Sequence, residues 1–93
     1  MHQAGWERSE VNVTRLQFLR WPPGVVNEWH PAPARQYVIT LSGQGEVELA
    51  SGKKILLEPG RVLLAEDVSG KGHITRTLGT EVWIRITIPL AAQ

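Results

Sequence analysis

Residues 81–88 read Glu81-Val82-Trp83-Ile84-Arg85-Ile86-Thr87-Ile88. The aliphatic side chains recur at every second position, which is the pattern of a β-strand, because successive side chains of a strand point to opposite faces of the sheet. One face of this strand is therefore aliphatic, and the other carries Trp83, Arg85 and Thr87. Arg85 shares a face with Trp83 and Thr87 and is the arginine that best fits an inward direction; the alternative is that its side chain is solvated.

Similar short segments recur along the chain and end at turn residues such as Ser42-Gly43 and Pro59-Gly60. None of the chain keeps a helical period of 3.6 over a full window without a Gly or Pro. Short strands at this spacing, with no helix-sized segment between them, predict an antiparallel all-β sandwich or barrel. The predicted strands are Val11–Trp21, Tyr37–Leu41, Glu46–Leu49, Lys54–Leu57, Arg61–Ala65, His73–Leu78 and Glu81–Ile88.

The length of 93 residues suits one domain, which we assign to residues 1–93. A domain of this size has a small core, and a partner subunit often covers its remaining apolar surface. An open-ended barrel also leaves strand edges such as Val11–Trp21 to be covered, so we expect a homodimer. The end segments 1–10 and 90–93 are expected to be loose or to act as dimer arms.

Composition excludes several classes of function. Ten Lys and Arg against nine Asp and Glu give a net charge of +1 with no basic cluster, which does not favour nucleic-acid binding. No apolar run approaches the ~20 residues that span a bilayer, so no membrane partner is expected. The chain has no Cys, and residues 1–10 lack the apolar core of a signal peptide, so we predict a cytoplasmic protein.

Two stretches, about half of the chain, resemble the paired sequence motifs of the cupin superfamily. In the first, Gly24 is followed by His30 at the motif spacing, and Gly43 closes the motif. Ala32 stands at the position of the second His, and Gln36 at the position of the Glu. The spacing is kept, while two of the three ligand positions of this motif are substituted.

The second motif opens at Pro59-Gly60. Glu66 takes the position of a Pro, and a longer turn leads to His73, which stands at the ligand position. Thr77 occupies the position where Asn is common. The sequence therefore resembles a small, single-domain cupin with a degenerate metal motif.

This resemblance implies an antiparallel cupin-type β-barrel, that is, a double-stranded β-helix or jelly roll. It also implies that His30, His73 and Gln36 point to one interior site, where cupins hold a divalent metal. Two imidazoles and one amide carry no ligand charge, so we expect weak binding of Zn, Fe, Mn or Ni. The alternative is that both histidines are metal-free pocket residues held by hydrogen bonds.

Other residues are candidates for ligand binding. Arg85 carries a planar guanidinium that suits a carboxylate or phosphate, and Trp83 offers a large apolar wall. Glu66 lies near the second motif and is a candidate ligand as well. With Gln36, these side chains predict a pocket for a small polar or acidic molecule.

Three classes of function follow. The first is a binding module for such a molecule, with at most a weakly held metal. The second is a cupin enzyme of the isomerase, decarboxylase or dioxygenase type. It would depend on a metal or use His30 and His73 as acid and base, since imidazole titrates near neutral pH. The third is an interaction protein defined by its dimer face.

Overall fold

The computed structural model describes residues 8–91, which form eight strands joined by short turns. Positive φ angles occur there only at glycines, and several of these glycines sit in the turns between strands. The strands are β1 (Gln17–Trp21), β2 (Val26–His30), β3 (Gln36–Ser42), β4 (Gln44–Leu49), β5 (Lys54–Leu57), β6 (Val62–Ala65), β7 (His73–Leu78) and β8 (Trp83–Pro89).

The strands form two four-stranded sheets in the orders β1-β8-β3-β6 and β2-β7-β4-β5. Every strand pair in both sheets is antiparallel. The described residues include no helix. The all-β jelly roll predicted from the sequence is thus confirmed. The edge strands β5 and β6 belong to different sheets, and Ile55 of β5 and Leu63 of β6 line a common cleft at the seam between the sheets.

Two strands differ clearly from the prediction, whereas the bounds of the other six lie within two residues of the predicted ones. The first regular strand begins at Gln17 rather than at Val11, and Val13 makes only an isolated bridge with Leu90. Between the Gln17–Thr87 and Val13–Leu90 pairs, the segment before β1 contains one residue more than the segment it faces. This extra residue interrupts the pairing. Strand β2 was not predicted, because the polar side chains within Val26–His30 hide its alternation.

The core lies between the sheets and is centred on Trp83, which is fully buried. It packs with Val38, Val47 and Leu57, and its indole N–H donates a hydrogen bond to the Thr40 hydroxyl at 3.0 Å. On β8, buried residues alternate with half-buried ones. The period-two prediction is therefore confirmed, with Trp83, Arg85 and Thr87 facing inward.

The outer faces of the two sheets differ in character. On the β2-β7-β4-β5 sheet, Arg76 pairs with Glu46 at 2.6 Å and with Glu48 at 3.0 Å. The hydrogen bonds with Glu46 and then Glu48 raise the pKa of Arg76 above its usual value. On the other sheet, the register places Phe18, Ile86, Ile39 and Val62 in one apolar row across four strands.

Parts of the predicted loose ends fall within the described residues. The Leu90 amide donates to the Arg35 carbonyl at 2.8 Å, and the Ala91 amide donates to the Asn12 carbonyl at 3.1 Å. Residues 1–7 and 92–93, the rest of those predicted ends, lie outside the described residues. Nowhere in residues 8–91 is there a helix of the length and hydropathy needed to cross a membrane.

Candidate ligand-binding cavity

A cavity of about 420 Å³ opens between the two sheets. This volume lies within the range of small-molecule sites, which is roughly 300–1,000 Å³. Apolar side chains form much of its wall, and the polar groups are contributed by strands of both sheets. The polar and charged lining residues are Gln17, Asn27, His30, Gln36, His73, Thr75, Arg85 and Thr87.

His30 and His73 lie side by side in this wall. They are cross-strand partners on β2 and β7, and a register shift after Asn27 brings His30 opposite His73. Their ring centroids are 4.6 Å apart. At the adjoining turn, a Cβ on Gly72 would overlap the carbonyl group of His30, so only glycine allows this close approach.

Both imidazoles are oriented through Nδ1. His73 Nδ1–H donates to Asp67 Oδ2 at 2.6 Å, and His30 Nδ1–H donates to the Glu28 carbonyl at 2.6 Å. These acceptors favour the Nδ1-protonated tautomer of both rings. The Asn27 amide then donates to His30 Nε2 at 3.4 Å, whereas the lone pair of His73 Nε2 has no partner among the described residues.

Arg85 is the charged group of the cavity interior. Its side chain projects from β8 and is buried, with 6% of the residue exposed. The guanidinium carbon lies 3.9 Å from the Trp83 ring centroid and 4.1 Å from that of Trp21. The two indoles stand almost perpendicular, at 87°, so Arg85 sits in the corner between them.

Within residues 8–91, no acidic side chain neutralises Arg85. Its Nη1 atom is buried and has no hydrogen-bond partner within residues 8–91. Among those residues, the ion pairs do not include Arg85, and none of the residues lining the cavity is Asp or Glu. Burial lowers the pKa of the guanidinium to about 10. At neutral pH the cavity therefore holds an unpaired cation.

The architecture matches solved structures of low sequence identity. One is a cupin-like protein from Thermotoga maritima, with a TM-score of 0.68 and 21% identity over 81% of this chain and 55% of that protein. Another is a cupin-2 domain protein from Shewanella frigidimarina, with a TM-score of 0.67 and 17% identity, covering 98% of this chain and 85% of that one.

A third match is the cupin-2 domain of an XRE family transcriptional regulator from Enterobacter cloacae. Its TM-score is 0.63 with 20% identity, over 83% of this chain and 81% of that domain. The chain has the cupin fold. It spans about half the length of the Thermotoga protein. No protein-family model matches the sequence, and no curated protein matches it.

The metal site that the cupin resemblance implies is poorly supported by the residues of this cupin barrel. Within residues 8–91, no three His, Asp or Glu side chains are grouped to hold a metal ion. Asp67 is engaged with His73 Nδ1, and Ala32 is buried but offers no donor atom. Two imidazoles and the Gln36 amide lack an anionic ligand, so they do not fit a tightly held divalent metal.

The other candidates fall into two groups. Gln36 and Trp83 line the cavity, Gln36 at its polar part and Trp83 beneath the guanidinium. Glu66 lies outside the cavity lining, with 59% of its side chain exposed, and its Oε1 atom accepts from Arg35 Nη2 at 2.8 Å. This salt bridge joins the residue before β3 to the residue after β6 and keeps the Glu66 carboxylate away from the larger cavity.

Two residues of this site, Asp67 and Trp21, are not among the site residues predicted from the sequence. Asp67 orients His73, and its signal in the sequence was an acid in the long turn before His73. Trp21 forms the second wall around Arg85. Its position in the chain carried no such signal, because the contact depends on the pairing of Trp21 with Trp83 between β1 and β8.

Proposed function

We propose that this cupin barrel binds a small carboxylate, whose anionic group pairs with Arg85. The observation that carries this proposal is the buried, unpartnered Nη1 atom of Arg85. An unpaired buried charge is costly, and a hydrogen-bonded anion offsets that cost. A guanidinium binds a planar carboxylate through parallel N–H···O bonds, which are stronger than hydrogen bonds between neutral groups.

The rest of the cavity suits such a ligand. Gln17 and Thr87 share a hydrogen bond of 3.1 Å and place neutral polar atoms in the same wall as Arg85. With no Asp or Glu among the described lining residues, little repels an anion. The apolar side chains around the cation reduce screening by water, which strengthens the attraction to a bound carboxylate.

Matched pairs of ligands test the proposal. Butyrate and butyramide have similar size and shape, but only butyrate carries a charge. We expect butyrate to raise the thermal unfolding midpoint of the wild type and butyramide to leave it unchanged. In Arg85→Gln the butyrate effect should disappear, while near-UV circular dichroism reports whether the variant is folded.

Arg76→Gln is the control, because Arg76 is paired with Glu46 and Glu48 on the outer surface. This variant should respond to butyrate as the wild type does. Equal stabilisation by the acid and the amide would refute a carboxylate site. So would an unchanged butyrate response in Arg85→Gln.

The Asp67–His73 pair favours a second candidate function, proton transfer at a carbon of the bound acid. Asp67 holds Nδ1–H of His73 and leaves Nε2 as a base in the same cavity as Arg85. This base could remove a proton from C3 of a 2-oxo acid, giving the enolate, and then return a proton to that carbon. NMR would detect exchange of solvent deuterium into 2-oxobutyrate.

That exchange should exceed the uncatalysed rate in the wild type and drop to it in His73→Gln. Exchange that continued in His73→Gln would exclude this role for His73.

The cytoplasmic location and the weak metal predicted from the sequence stay predictions. Fractionation of the source cells tests the first, and metal analysis of the purified protein tests the second.

A further inference from the structure

A second, smaller cavity lies beside the one that contains Arg85. It has a volume of about 180 Å³ and opens at the seam between β5 and β6, the edge strands of the two sheets. Its surface is almost entirely apolar and includes Leu49 and Ile55, which do not line the larger cavity. Glu66 and Asp67 also line it, and their carboxylates are paired with Arg35 and His73. We name this smaller space the seam cleft.

The seam cleft adjoins the larger cavity. Val47, Leu63, Ala65 and His73 line both spaces and form the boundary between them. Leu49, Ile55 and Leu63 pack against the core but are only partly buried, so apolar surface in the cleft remains exposed to water. An apolar group of a ligand in the larger cavity could cover this surface.

The strand register sets the distance between the cation and the cleft. Arg85 pairs with Thr40 on β3, and two residues further along β3, Val38 pairs with Leu63 on β6. Leu63 is therefore two strands and two residues away from Arg85, which is about 10 Å across the sheet and about 7 Å along it. The long side chain of Arg85 covers part of that separation, and a short alkyl chain covers the rest.

From this arrangement, and resting on the proposed carboxylate site, we infer that the ligand is an amphipathic monocarboxylate. Its carboxylate pairs with Arg85, and its alkyl or aryl part occupies the seam cleft against Leu49 and Ile55. Small polyanions and sugar-like acids fit less well, because the cleft offers them almost no polar groups.

A series of straight-chain acids from propionate to hexanoate tests this inference by isothermal titration. Burying one methylene contributes ~0.8 kcal/mol, so we expect about fourfold tighter binding for each added carbon in the wild type. Leu49→Trp fills the seam cleft without changing a residue of the larger cavity. It should bind propionate like the wild type but bind hexanoate no more tightly than propionate.

Ile55→Trp fills the same cleft from β5 and replaces Leu49→Trp in this experiment if Leu49→Trp does not fold. Leu78→Trp is the matched control, since Leu78 is half-buried on the same sheet but lines neither space. It should keep the full chain-length gain. The inference is wrong if affinity rises with chain length in Leu49→Trp as much as in the wild type. It is also wrong if the wild type binds propionate through Arg85 but gains no affinity with longer acids. In both cases the proposed carboxylate site remains valid. If no acid in the series binds, both fail together.

Discussion

The guanidinium of Arg85 lies 3.9 Å above the Trp83 ring in the interior of a small cupin barrel, and no carboxylate among the described residues neutralises it. Cation–π contacts with the two indoles offset part of the cost of burying this charge. They do not supply the hydrogen-bond acceptor that Nη1 lacks. The free protein therefore keeps a cation whose burial opposes folding, and a bound anion would remove that penalty.

Removing the charge should stabilise the free protein. We expect Arg85→Met to increase the free energy of unfolding by about 1–3 kcal/mol, the typical cost of a buried charge without a partner. Urea unfolding at pH 7 measures this effect. A clear loss of stability in Arg85→Met would show that Arg85 has an acceptor that stabilises it.

The same penalty should depend on pH. The folded-state pKa of Arg85, about 10, is below the ordinary pKa of an arginine side chain, because burial disfavours the charged form. Between these two pKa values the unfolded chain binds more protons. The free energy of unfolding therefore rises with pH in that window, as the folded protein loses its charge first. Relative to Arg85→Met, the wild type should gain roughly 1 kcal/mol between pH 9 and pH 11. A constant difference would contradict the lowered pKa.

Asp67 should fix the tautomer of His73. Its carboxylate accepts Nδ1–H at 2.6 Å, and Asp67→Asn weakens this hydrogen bond. Nitrogen-15 NMR of the imidazoles should show the Nδ1–H form of His73 in the wild type and a mixture of both tautomers in the variant. His30 is the internal control, because its Nδ1–H binds the Glu28 carbonyl and should not change. The same mixture in the wild type would exclude an orienting role for Asp67.

Restoring the missing acid should strengthen metal binding. Gln36 lines the cavity together with His30 and His73, and Gln36→Glu would add the anionic ligand that these imidazoles lack. We expect at least a tenfold gain in Zn²⁺ affinity by isothermal titration, and no gain in Glu66→Gln, which alters the exposed acid paired with Arg35. Equal affinities in Gln36→Glu and the wild type would place Gln36 outside any metal site.

The apolar outer face of the β1-β8-β3-β6 sheet should mediate the homodimer. Phe18 is 69% exposed and Val62 is 57% exposed, at opposite ends of the apolar row that crosses this sheet. Light scattering after size exclusion should give a dimer for the wild type and a monomer for Phe18→Asp with Val62→Asp. Val26→Asp, at an equally apolar exposed site on the other sheet, should remain a dimer. A monomeric wild type would refute this interface.

The sequence predicted the strands well where alternation was strong. In residues 81–88 the apolar period of two placed Trp83, Arg85 and Thr87 on one face of the strand, but it did not show which face points inward. It failed at β2, whose polar residues lie in an edge strand with a register shift. Apolar and polar residues alternate where one face of a strand is buried. An edge strand buries less of its side-chain surface, so its sequence need not alternate.

The site was predicted in part. The motif spacing indicated that His30 and His73 would be neighbours, whereas the sequence left open whether Arg85 points inward or into solvent. The spacing could not show that Glu66 pairs with Arg35 outside the barrel, or that Asp67 binds His73. Both outcomes depend on the conformation of the turn after β6, where side-chain direction is set by local hydrogen bonds. Whether Arg85 has an acidic partner depends on side chains that several strands bring next to it. No short stretch of sequence therefore predicts that it lacks one.

A crystal structure of the wild type soaked with 6-bromohexanoate tests the carboxylate site most directly, because anomalous scattering from bromine locates the far end of the ligand. We predict that the carboxylate lies within hydrogen-bond distance of Arg85 Nη1 and that the bromine lies in the seam cleft beside Leu49. A carboxylate bound away from Arg85, with the guanidinium still unpaired or paired to another group of the protein, would contradict it.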